Sequence, residues 1–187
     1  MSTNMVMAIM VVLGVLLVVL VAWEMVQRRR SKALRERFGP EYEHAVEAYG
    51  GPRRAERELA TRQKRVKAFD IRPLTPEVYQ HYSTAWEKVQ TRFVDDPALA
   101  VNEADRLVKD LMQARGYPIS DFEQRSADIS VHHPNVVSHY RAARDIAVSN
   151  RQGGSSTEDL RQAIVHYRAL FEDLLEVSPP LRRVNVG

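Results

Sequence analysis

The sequence predicts an all-α protein with a single N-terminal transmembrane helix, a basic helical arm and a compact bundle of four to five helices. Three observations carry that expectation. Met5 to Ala22 is an uncharged apolar run, and apolar residues recur every three or four positions from Val78 onward. No segment alternates apolar and polar residues between hairpin turns.

The apolar run comes first. A helix rises about 1.5 Å per residue and a hydrocarbon core is about 30 Å thick, so about 20 apolar residues are needed to cross it. Residues 5–26 supply that length, with Glu24 the sole charge and close to one end. A cleaved signal peptide would carry its positive charge ahead of the apolar core and a small-x-small site behind it. Met1-Ser2-Thr3-Asn4 has no charged side chain, and Trp-Glu-Met-Val-Gln-Arg-Arg-Arg follows the run, so a retained anchor is expected. Arg28, Arg29, Arg30, Lys32, Arg35 and Arg37 all lie after it, which puts residues 1–4 outside and the rest in the cytoplasm. Trp23 suits the headgroup layer.

Charge is uneven along the chain. The net charge is +3, but residues 28–67 hold 13 Lys/Arg against 6 Asp/Glu, which leaves the remainder acidic at −4. A basic stretch beside a membrane favours anionic lipid by about 1 kcal/mol per residue near the surface. Arg28, Arg29, Arg30, Lys32 and Arg35 are the candidate lipid contacts. Nucleic acid is disfavoured, because the distal part has no basic face. The absence of cysteine excludes disulfides, thiolate metal sites and a cysteine nucleophile.

The first helix is expected to run on to Gly39-Pro40, where glycine caps and proline cannot continue. A short helix with Tyr42, Val46 and Tyr49 on one stripe should end at Gly50-Gly51-Pro52. Arg53 to Phe69 reads as a helix with charges on most faces and a thin stripe of Ala55, Leu59, Val66 and Phe69, with Arg62 and Gln63 in the gap. Such a helix is a solvent-bridging spacer or an arm on headgroups, so 27–70 is taken as an arm and 71–177 as the bundle. Ile71-Arg72-Pro73 is extended.

Thr75-Pro76 and Asp96-Pro97 are N-cap-plus-proline starts of two helices carrying Val78–Phe93 and Val101–Leu111 stripes. Ser120-Asp121-Phe122-Glu123 reads as a capping box before a short helix. Pro134 is expected to open the next helix and Thr157 to cap the last, whose stripe is Leu160, Ala163/Ile164, Tyr167, Leu170/Phe171 and Leu174. Tyr82, Trp86, Phe93, Tyr140, Tyr167 and Phe171 read as core. Residues 178–187 read as a loose tail.

Chemistry is thinly signalled. His132-His133, His139 and His166 could lend metal ligands, but His133 and His139 are six apart and fall on different helix faces. Asp121, Glu123 and Asp128 stand near His132-His133, an arrangement that could do acid–base work in a small hydrolase or metal-dependent enzyme. Against this, Asp121 and Glu123 already have work at a helix start. No phosphate-cradling loop or nucleophile motif is present, and no cofactor is expected. The connector 116–135 is expected to pack Ile119, Phe122 and Ile129 inward and to present Arg125, His132 and His133 outward as a partner-binding edge.

The stretches RSKALRERFGPEYEHAVE, RRAERELATRQKRV, RFVDDP, ARGYPISDFEQRSADISVHHPNVVSHYRAARDI and STEDLRQAIVHYRALFEDLL resemble a family of uncharacterised bacterial single-pass membrane-anchored helical proteins. The resemblance covers roughly residues 31–175. It implies a bacterial inner-membrane protein of this architecture and brings no activity, substrate or catalytic residue. The family pattern reads Asp-His-Pro where this chain has His132-His133-Pro134, which weakens a metal role for His132. The expected function is a membrane-tethered cytoplasmic interaction or scaffold module with an unknown protein partner; oligomeric state is left open.

Overall fold

The computed structural model describes residues 3–176, with the side chains of Met10 and of Val12 onward. Met1, Ser2 and the expected tail at 178–187 lie outside the described residues. Within them the protein is all-helical, with eight helices and no strand. They are α1 (Thr3–Phe38), α2 (Pro40–Ala48), α3 (Pro52–Val66), α4 (Pro76–Asp95), α5 (Pro97–Ala114), α6 (Phe122–Ile129), α7 (Val137–Arg151) and α8 (Thr157–Glu176). Among the described residues, no helix is long and apolar enough to cross a membrane, so the expected span at residues 5–26 is not found among them.

Helices α4, α5, α8 and α7 pack in that spatial order, with α5 and α8 at the centre. The stripes explain the arrangement. Helix α8 buries Leu160, Ala163, Tyr167, Leu170, Phe171 and Leu174, and α5 buries Ala100, Val101, Ala104, Val108, Leu111 and Met112. Trp86 of α4 stacks on Phe171 at 4.7 Å between centroids, closing the core from the α4 side. Each such large side chain, fully buried, contributes about 1.5–3 kcal/mol.

The helix starts follow local chemistry. The Thr75 hydroxyl accepts from the Val78 amide and the Asp96 carboxylate from the Leu99 amide, each with proline in the first turn. Elsewhere the expected cap is one residue off. Asp121, not Ser120, accepts from the Gln124 amide at α6. Ser156, not Thr157, caps α8: its hydroxyl accepts from the Asp159 amide while Asp159 accepts from the Ser156 amide, a reciprocal box. Pro134 lies in a turn, and α7 begins only at Val137.

The basic segment is no spacer. Phe38, Tyr42, Ala45, Ala55, Leu59, Val66 and Val131 form a second buried cluster, with Leu34, Val46 and Phe69 against it. Val131 belongs to the connector after α6, so this cluster spans the α1–α3 segment and the bundle. Tyr49, expected on the buried stripe of α2, is exposed instead. Glu41 takes the inward position, its carboxylate receiving Arg62 Nη1 at 2.7 Å and both Nη atoms of Arg141 at 2.6 and 3.0 Å. Arg62, which fills the gap in the α3 stripe, also reaches Glu58 at 3.2 Å and the Ser130 hydroxyl at 3.3 Å. Beside it Arg65 pairs with buried Asp128 at 2.7 Å, an acceptor shared with Gln124 Nε2 at 2.9 Å. One glycine secures the junction: Gly116 has φ 96°, and a Cβ there would run into the backbone carbonyl of Asp70.

Candidate functional site

Two regions carry the residues singled out in the sequence. The first is the connector between α5 and α7. His132 is exposed, and its Nδ1 lies 3.1 Å from the Tyr117 hydroxyl. Burial, followed by the charges of His133, Arg37 and Arg115, holds its pKa below the usual histidine value. His133 does not face outward as expected. It is buried, its Nδ1 donates to the Asp173 carboxylate on α8, and its Nε2 is enclosed without a partner among the described residues. Arg125 is half-buried beside the Tyr140 hydroxyl, and Ile119, expected inward, is 81% exposed. Ile129 is fully buried and Phe122 packs against the core, as their apolar character predicts.

The grouping that acid–base chemistry needs is not assembled around these imidazoles. Asp121 is occupied at the α6 cap, Glu123 is exposed, and Asp128 is committed to Arg65 and Gln124. The carboxylate that does reach His133 is Asp173, forty residues away, which no local pattern could have signalled. His139 and His166 meet across α7 and α8 with their Nδ1 atoms 2.9 Å apart. Among the described residues no group of three or more His, Asp or Glu is placed to hold a metal ion.

A buried polar cluster missed in the sequence sits in the bundle. Asp105 accepts from the Tyr167 hydroxyl at 3.0 Å and from Lys109 at 2.5 Å, with Arg144 at 3.8 Å. Burial pushes the Tyr140 hydroxyl up to about 12 and drives that of Tyr167 higher still, so both stay neutral and Tyr167 donates to the carboxylate. The buried Asp105 charge is tolerated because it is paired.

The second region is the basic face after the apolar run. Arg28, Arg29, Arg30, Lys32 and Arg35 are all exposed along α1. Some are partly neutralised: Arg28 pairs with Glu24 at 3.1 Å, Lys32 with Glu36 at 3.8 Å, and Arg35 with Glu43 at 3.5 Å while lying over the Tyr42 ring. Exposed pairs of this kind contribute about 0–1 kcal/mol each and leave the face basic. The opposite wall is α3, which brings Arg53 and Arg57 toward the same stretch of α1.

Fold and site together define a class by shape: a helical body carried at one end of a long helix with a basic collar. Compared with family models, with curated proteins and with solved structures, the chain finds no match.

Proposed function

We propose that the protein is a single-pass membrane-tethered interaction module, with residues 5–26 in the bilayer and the helical body on the cytoplasmic side. One observation carries the reading. On α1 the described apolar side chains stand bare, from Met10 at 68% to Leu20 at 60% exposure, while the same helix runs unbroken to Phe38, which is fully buried in the body. An apolar surface of this size without protein cover calls for another apolar phase or a partner. The basic residues that follow it, and the resemblance to bacterial membrane-anchored proteins, favour a bilayer with the body inside.

An interaction role is favoured over catalysis because the singled-out imidazoles and Asp128 are taken up in pairs, His133 with Asp173, His139 with His166 and Asp128 with Arg65, and not gathered around an open cleft. The partner edge that remains on the connector is Ile119 with His132, since His133 is interior. The test is a pair of reporters fused after Glu176, one active only in the cytoplasm and one only outside. Cytoplasmic activity, together with a chain that resists alkaline extraction from membranes, is the expected outcome. Activity of the external reporter, or release into the soluble fraction, would overturn the reading.

A further inference from the structure

We propose that the groove between α1 and α3 binds the phosphate headgroup of an anionic phospholipid from the leaflet next to the body. This rests on the membrane reading and assigns a lipid site within it. The groove encloses about 910 Å³, walled by Trp23 to Arg35 of α1 and Pro52 to Ala60 of α3. That is room for a headgroup, since ligand sites run to about 300–1,000 Å³.

Its charge is set up for a phosphate. Arg30, Arg53 and Arg57 line it and make no ion pair among the described residues. The two carboxylates in the walls are engaged: Glu24 holds Arg28, and Glu56 accepts from the Ser31 hydroxyl at 2.5 Å and the Tyr42 hydroxyl at 3.0 Å. Guanidinium forks match phosphate oxygens two at a time.

The start of α3 points the same way. Its first turn holds Arg53, which lines the groove, and no acidic residue, and Gly51 offers no side-chain cap to the amides there. Cations at a helix start oppose the macrodipole, whereas an anion at that position is favoured by it. An anion held by Arg53 near these amides would relieve that opposition.

Depth selects a lipid. Trp23 stands at one end of the groove, and Arg28 to Arg30 follow it by about 8–10 Å along the helix at about 1.5 Å per residue. The polar layer on each side of a bilayer is about 5–8 Å deep. Counted from the proposed end of the span at Val26, Arg28 to Arg30 lie about 3–6 Å along the helix, within that layer, and the bare Leu16, Leu17 and Leu20 offer a surface for acyl chains above.

The experiment uses the full chain in nanodiscs of phosphatidylcholine containing a few per cent of spin-labelled phosphatidylglycerol or spin-labelled phosphatidylcholine. Quenching of Trp23 reports occupancy, with buried Trp86 as the internal reference. The parent chain should prefer the labelled phosphatidylglycerol about tenfold, and R53A/R57A should lose that preference while still sitting in the disc. R161A, a remote exposed arginine on α8, should leave it intact. Equal preference in the parent and R53A/R57A would overturn the site. Loss of the preference in the parent on adding millimolar inorganic phosphate would assign the groove to a free anion and overturn the lipid. A chain that does not stay in the disc at all would overturn the membrane reading first.

Discussion

Glu41 ties α2 to α3 and α7 through charge. It is buried, yet it holds one arginine from α3 and one from α7, so the desolvation of three charges is offset within one cluster. Removing one member of a buried ion cluster strands the others, at about 3–5 kcal/mol. Glu41→Gln should therefore lower the unfolding free energy by that amount, read from urea denaturation as a shifted midpoint at unchanged slope. Gly116→Ala should cost about 1–3 kcal/mol, because it combines a positive φ with a clash against the Asp70 carbonyl, and thermal unfolding would show it. Histidine gives a pH dependence whose sign is fixed. Burial and the neighbouring His139 lower the pKa of His166 below 6.5, and burial with nearby cations lowers that of His132. The unfolded chain then binds protons that the folded chain refuses. The stability these rings contribute is complete above about pH 6.5 and is lost as pH falls below it toward their folded values. His166→Gln should flatten that slope in unfolding free energy measured against pH; an unchanged slope would show that the α7–α8 pair does not contribute to it.

At the scale of elements, the lesson lies in α3. Read alone, it is charged on most faces, and Ala55, Leu59 and Val66 make a stripe too thin to demand a partner. The structure completes the stripe with Arg62, which besides Glu58 finds acceptors 21 and 68 residues away along the chain, beyond the reach of any local pattern. The helices of the bundle were legible because periodicity and caps are local: Thr75 and Asp96 start α4 and α5 as expected, and the α8 stripe is buried as read. The α6 start was legible only to within a residue, because Ser120 and Asp121 are adjacent and both are good caps. His133 was misplaced outward for the same reason that Arg62 was overlooked: a polar side chain goes inside when a distant partner, here Asp173, satisfies it. A consequence can be measured. A fragment of residues 70–176 would lose the α3 partner of Asp128 and the α2 partner of Arg141 and would bare Val131. A fragment of residues 31–176 should melt cooperatively at a temperature higher by about 6–24 °C, since about 3 kcal/mol at roughly 2–8 °C per kcal/mol is expected in domains of this size. Equal melting temperatures would show that α2 and α3 are only loosely attached.

The whole molecule is an electrostatic dipole on a stem. Residues 28–67 carry 13 basic against 6 acidic side chains, whereas the remainder is net acidic, so the end nearest α1 is attracted to an anionic surface while the far end is repelled. Helix α1 enters the body through buried Phe38, which ties the direction of the stem to that of the body and its collar. In the membrane-tethered pose proposed above, α3 and the Arg28–Arg35 stretch would face the headgroups and the acidic bundle would face away from them. The attraction is carried by exposed charges and so must be screened, with a Debye length of about 10 Å at 0.1 M salt and about 3 Å at 1 M. With residues 1–27 removed, the remaining chain should co-sediment with vesicles rich in phosphatidylglycerol at low salt and be released between 0.1 and 1 M. Vesicles of phosphatidylcholine should not retain it. Changing Arg28, Arg29, Arg30, Lys32 and Arg35 to Gln should reduce retention at least tenfold, given about 1 kcal/mol per basic residue near the surface. Retention that ignores both salt and vesicle charge would mean that the collar is a solvated surface and contributes no attraction to anionic lipid.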